Sequence, residues 1–100
     1  MDTDYRVRII LSIAEAYQEN ADLLKAEETY QGLRDNYPLN SYSDSIRYQL
    51  ALIQLKNSNF DRAVEQLADF KRDFPGSKLL SEAAYALGLA YFEKKDFDNC

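Results

Sequence analysis

Apolar residues return every three or four positions along most of the chain, in blocks separated by short polar stretches. Residues 4–19 carry Tyr5, Ile9, Ile13, Ala14, Ala16 and Tyr17 at helical spacing, and Thr3 is placed to cap this first helix. Asn20-Ala21-Asp22 predicts a turn. A second helix is expected over 22–36, with Leu23, Ala26, Tyr30 and Leu33 on one face. Tyr37-Pro38 stops it, because proline disfavours helical geometry in the residue before it. After the connector Leu39–Tyr42, Ser41 and Asp44 suggest a capping box opening a third helix over 42–57. Asn57-Ser58-Asn59 predicts the next turn. The fourth helix, 60–73, points Ala63, Val64, Leu67 and Phe70 inward. Phe74-Pro75-Gly76-Ser77 is a second stop, with Ser77 placed to cap a fifth helix over 78–94. A turn over Glu93–Asp96 and a sixth helix from Asp96 follow. No segment alternates as a strand would.

The blocks repeat. At an offset of 37 residues Tyr48 meets Tyr85, Leu50 meets Leu87, Leu52 meets Leu89, and Phe60-Asp61 meets Phe97-Asp98. Ala26 meets Ala63, Leu33 meets Phe70, and Tyr37-Pro38 meets Phe74-Pro75. Small residues share a phase at Ala14, Ala51 and Gly88. Glycine inside a helix costs roughly 1 kcal/mol relative to alanine, so Gly88 is expected where a second helix approaches closely. A helix–turn–helix unit repeated at a fixed period predicts an all-α solenoid of antiparallel helix pairs. The repeats run over about 4–40 and 41–77, with a partial third over 78–100.

These residues resemble the tetratricopeptide repeat, W-x2-L-G-x2-Y, then A-x3-F, then P. Leu87-Gly88-x2-Tyr91 matches the first part, and Ile13-Ala14-x2-Tyr17 is a close variant. Ala26-x3-Tyr30 and Ala63-x3-Leu67 stand in the second, Pro38 and Pro75 in the third. The Trp position holds Ile10, Arg47 and Ala84, and Gln54 replaces an aromatic. Phe74-Pro75-Gly76-Ser77-Lys78-Leu79 followed by Ala84-Tyr85-Ala86-Leu87-Gly88 is similar to bacterial envelope members of the family, both Tol–Pal-associated (YbgF-like) and BamD-like.

The resemblance implies a non-catalytic protein-interaction scaffold, a piece of a longer chain, with the periplasm or cell envelope as the expected compartment and the cytoplasm left open. It implies Ala14, Ala26, Ala51, Ala63 and Gly88 as packing points, with Pro38 and Pro75 as stops. It also implies a concave wall of Arg8, Leu11 and Glu15, then Tyr48, Leu52 and Leu55, then Tyr85, Leu89 and Phe92. A groove of Tyr and Leu suits a helix or an extended peptide. The same residues would equally pack one repeat on the next, leaving a structural or oligomerisation segment without a ligand of its own. The carboxylate clamp of some family members is not expected, because its positions hold Leu11, Glu15, Gln49, Glu82 and Ala86.

Composition narrows the chemistry further. The 100 residues carry a net charge of −5, and their scattered Lys and Arg argue against nucleic acid. No histidine is present, which removes the commonest general base and metal ligand. Ser12, Ser45 and Ser81 thus have nothing to activate them. Glu27-Glu28 and Asp61 with Glu65 read as solvated acids, and Gly32, Gly76 and Gly88 form no phosphate loop. The single cysteine, Cys100, stands at a small-residue packing position. No catalytic residue, cofactor or metal is expected. No apolar run approaches membrane-spanning length, and Met1-Asp2-Thr3-Asp4 lacks a signal peptide's basic and apolar regions. The fifth helix is apolar almost all round, from Leu79 to Phe92, and on that ground a homodimer is expected.

Overall fold

In the computed structural model the described residues are 2–98, with side chains from 3 to 96. They form five helices: α1 (Asp2–Glu19), α2 (Leu23–Asn36), α3 (Ser43–Lys56), α4 (Phe60–Asp73) and α5 (Leu80–Asp98). Among the described residues there is no strand. The all-α class and the helix pairs of a tetratricopeptide-like repeat are as the periodicity predicts. The chain divides into two compact units, Met1–Leu50 and Ala51–Cys100.

In the first unit α1 packs on α2. The core there is Val7, Leu11 and Ala14 from α1 with Ala26, Tyr30 and Leu33 from α2. Tyr5, Ile9 and Ile13, which share the helical spacing, lie outside this core. All three are exposed, at 69%, 47% and 46%. The helix carries two apolar rows, and α2 takes the one built on Val7, Leu11 and Ala14. Thr3 is not a cap, because α1 begins at Asp2.

Ser41 does not build the expected capping box. Its hydroxyl donates to Asp4 Oδ2 at 2.9 Å. Asn40 organises this connector instead: its Oδ1 accepts from the Tyr42 amide (2.7 Å) and its Nδ2 donates to the Tyr37 carbonyl (2.7 Å). On α2, Asp22 is the N-cap and accepts from the Lys25 amide at 3.3 Å.

Two turns share the repeat's phase. Ala21 and Ser58 both hold a left-handed backbone, at φ 62° and 61°. At the first, the Ala21 amide bonds Gln18 O (3.0 Å) and the Asp22 amide bonds Tyr17 O (2.9 Å). At the second, Ser58 bonds Leu55 O (3.0 Å) and Asn59 bonds Gln54 O (2.9 Å). That pair of bonds, around one left-handed residue, ends a helix by satisfying its last carbonyls. One period further stands Lys95, inside α5, which continues to Asp98. The turn and sixth helix expected from Glu93 onward are therefore replaced by continued helix. Lys94 lies on that continued turn and pairs with Asp61 of α4.

In the second unit α4 packs on α5. Ala63, Leu67 and Phe70 of α4 are fully buried, as are Ala83 and Ala90 of α5. The α5 side is mostly alanine, which lets the Leu67 and Phe70 side chains lie close to its backbone.

Candidate interaction surface

In the first unit a polar chain links three helices. Tyr30 Oη donates to Gln18 Oε1 at 2.8 Å, and Gln18 Nε2 donates to Gln49 Oε1 at 3.0 Å. Burial first, and then the charge of Glu15, push the Tyr30 phenol up to about 12 from 10.0. The sign follows from linkage. Below pH 10 the phenol is protonated in both states and stability is level. Between about pH 10 and 12 the unfolded chain loses this proton first, and stability falls. Tyr30→Phe is expected to remove that alkaline limb. It should also cost about 1 kcal/mol at neutral pH, by orphaning a half-buried acceptor. Urea titrations at pH 7 and pH 11 check both.

The wall residues of the first unit differ in exposure. Arg8 and Glu15 are exposed and Tyr48 is half-buried. Leu11, expected on the wall, is 8% exposed and belongs to the α1–α2 core instead. In the second unit Leu52 and Leu55 are half-buried. Tyr85, Leu89 and Phe92 are exposed at 75%, 37% and 68%, in a row along α5, and Tyr91 adds 55%. Apolar surface on this scale along one helix is characteristic of a protein contact.

The packing points separate into two kinds. Ala14, Ala26, Ala51 and Ala63 are all fully buried. Pro38 and Pro75 follow the ends of α2 and α4 and are exposed. Gly88 is exposed, and a Cβ built on it meets nothing within 4 Å. The expected close approach at Gly88 is therefore corrected: α5 turns Ala83, Ala86 and Ala90 to the core, and Gly88 lies on the other side. Gly88→Ala is expected to stabilise the chain by roughly 0.5–1 kcal/mol, because only the backbone entropy cost of glycine remains. Equal denaturant midpoints for the two proteins would contradict this. Cys100 lies outside the described residues.

Gln54, in the aromatic position of the second repeat, is 1% exposed. Asn59 Nδ2 donates to its Oε1 at 3.0 Å, so the turn supplies the partner that burial of an amide demands. Helical periodicity also missed a small cleft lined by Arg34, Tyr37, Pro38, Ser43, Ile46 and Arg47. A connector shapes it, and connectors leave no periodic signal. Arg34 is engaged by Asp35 at 3.0 Å.

Among the described residues no group of three or more His, Cys, Asp or Glu could hold a metal. No described helix is long and apolar enough to cross a membrane. Asp61 of the acidic pair Asp61 and Glu65 faces Lys94.

The sequence matches the family of YfiO, an outer membrane lipoprotein, over residues 6–98. Of the two envelope groups it resembles, this match lies with the BamD-like lipoproteins and not with the Tol–Pal-associated one. No curated protein matches the chain.

Proposed function

The chain belongs to the family of the outer membrane lipoprotein YfiO, and from that premise we propose a non-catalytic protein-interaction scaffold of the bacterial cell envelope. It holds a partner's helix or extended peptide against apolar and aromatic side chains. The second unit offers Tyr85, Leu89 and Phe92 with Leu52 and Leu55. The first offers Arg8, Glu15 and Tyr48. The observation that carries this reading is the exposed aromatic row on α5, where Tyr85 and Phe92 leave 75% and 68% of their surface in water. Aromatic side chains give large contact area for few torsions, so they are efficient anchors. Photo-crosslinking from positions 85 and 92 in living cells tests it. A discrete crosslinked protein, missing when the probe sits at exposed Glu28, is expected; labelling no stronger than at Glu28 would end the proposal.

A second reading, self-association through α5, draws on the same exposure. Tyr85, Tyr91 and Phe92 span two sides of one helix, more than a single peptide covers. Twofold pairing is the commonest closed arrangement. Light scattering over a concentration series is expected to show a dimer that Tyr85→Lys with Phe92→Lys returns to monomer. A monomer at every concentration would remove this reading and leave the scaffold reading standing.

A further inference from the structure

α1 carries two apolar rows, and the fold buries the smaller. Val7, Leu11 and Ala14 lie inside, while the bulkier Tyr5, Ile9 and Ile13 are exposed. Apolar stabilisation grows with the area removed from water, so area alone favours the outer row. The repeat does not settle the choice either. One period on, Ile9 and Ile13 become Ile46 and Leu50, and there this phase is the buried one, at 1% and 2% exposure.

What separates the two rows is a polar residue. Helical steps carry the inner row from Val7 through Leu11 and Ala14 to Gln18. Gln18 is half-buried between two partners. Its Oε1 accepts from Tyr30 Oη of α2 at 2.8 Å, and its Nε2 donates to Gln49 Oε1 of α3 at 3.0 Å. Tyr30 is itself fully buried. Ile9 and Ile13 lie roughly half a turn of helix from Leu11 and Gln18, at about 3.6 residues per turn. An α1 turned to bury them carries Gln18 away from both partners. The Tyr30 hydroxyl then stays inside without its acceptor, and a buried polar group so stranded costs more than the hydrogen bond was worth. In the second unit the positions one period on are Leu55, Leu67 and Ala86, so the repeat itself does not require polar residues at this place.

We propose that the Tyr30–Gln18–Gln49 chain is the device that selects which face α1 presents to α2. It works by making the alternative costly and adds little to the stability of the face that is buried. Its hydrogen bonds replace bonds to water on folding, so their net worth is small, whereas a half-made chain bears the full cost of the stranded groups. Replacing a complete buried polar set by apolar side chains of similar volume is often neutral for stability. The rival selector is the contact of small residues between α1 and α2, where Ala14 and Ala26 are both fully buried.

Gln18→Leu, Tyr30→Phe and Gln49→Leu together make the chain apolar and leave Ala14 and Ala26 untouched. NMR of the isoleucine, leucine and valine methyls of the full chain, with a soluble paramagnetic probe, reports which face of α1 meets water. The parent is expected to give one set of peaks, with Ile9 and Ile13 broadened by the probe and Val7 and Leu11 protected. The triple variant is expected to keep the parent's urea midpoint. It should also show a second set, at about a tenth of the intensity or more, in which Ile9 and Ile13 are protected and Val7 and Leu11 are broadened. Gln18→Leu alone should lower the midpoint, because it strands the Tyr30 hydroxyl inside. Four results would overturn the proposal. The triple variant gives one set with the parent's pattern, which assigns the choice to the alanine contact. The triple variant unfolds at a clearly lower midpoint, which makes the chain a source of stability. Gln18→Leu alone leaves the midpoint unchanged, so that a stranded hydroxyl carries no penalty. Or the parent already gives both sets, and nothing is selected.

Discussion

Phe70→Ala is expected to cost about 3–5 kcal/mol, the largest loss from any single truncation in the second unit. The ring is fully buried on α4, and its centroid lies 5.2 Å from that of Phe74 at a tilt of 44°. Truncation removes the hydrophobic gain of the ring and leaves a cavity that rigid helices close only in part. α5 fills it only in part, because the side chains it buries fully are Ala83, Ala86 and Ala90, and its longer Leu80 and Leu87 are half-buried. Domains of this size are held by about 5–15 kcal/mol, so the variant uses up a large share of the margin. Urea unfolding should show a much lower midpoint. Amide exchange should rise first in α4 and α5. A loss below about 1 kcal/mol would mean that the α4–α5 core repacks freely, and the account of that core would fail.

The same α4 row explains why the fold was legible in the sequence. Ala63, Leu67 and Phe70 recur on one face between two breakers, and their matches Ala26, Tyr30 and Leu33 do the same one period earlier. Periodicity and the prolines suffice to place those helices within a residue or two. They do not say which of two apolar rows a helix buries. On α1 the rows Val7–Leu11–Ala14 and Tyr5–Ile9–Ile13 look alike in sequence. Only the arrival of α2 on the first separates them. On α5 the motif glycine suggested a close crossing, yet the alanines at 83, 86 and 90 face the core. The α5 overrun has a related cause. Helix ends at Ala21 and Ser58 depend on one left-handed residue each, and neither alanine nor serine advertises that conformation. Lys95 in the same phase could not be told apart from them by residue type.

The interaction surface was legible only in part, for a physical reason. Exposed Tyr85, Leu89 and Phe92 are aromatic or aliphatic, as core residues are, and sequence alone gives no sign of solvent. Leu11 shows the converse, a residue assigned to the wall by phase that is only 8% exposed. Family phase fixes a position on the helix circumference. Burial depends on what arrives there.

Ala26→Leu carries the second large expectation, a loss of about 1–3 kcal/mol confined to the first unit. Ala26 and Ala14 are both fully buried on helices that pack together. Small residues there allow the α1 and α2 backbones to approach. Three added carbons must either push the helices apart or adopt a strained rotamer. Separation would also stretch the Tyr30–Gln18 hydrogen bond, now 2.8 Å, because its two ends sit on these helices. The loss should therefore exceed that of a pure steric clash, and it should coincide with faster exchange at α1. Leu24→Ala is the matched control. It changes the same atoms on the same helix at a side chain that is 67% exposed, and it should leave stability within about 0.5 kcal/mol of the parent. A thermal melt in which Ala26→Leu and Leu24→Ala behave alike would show that the α1–α2 crossing has room to spare. The four buried alanines would then owe their place to helix propensity rather than to the closeness of the helices.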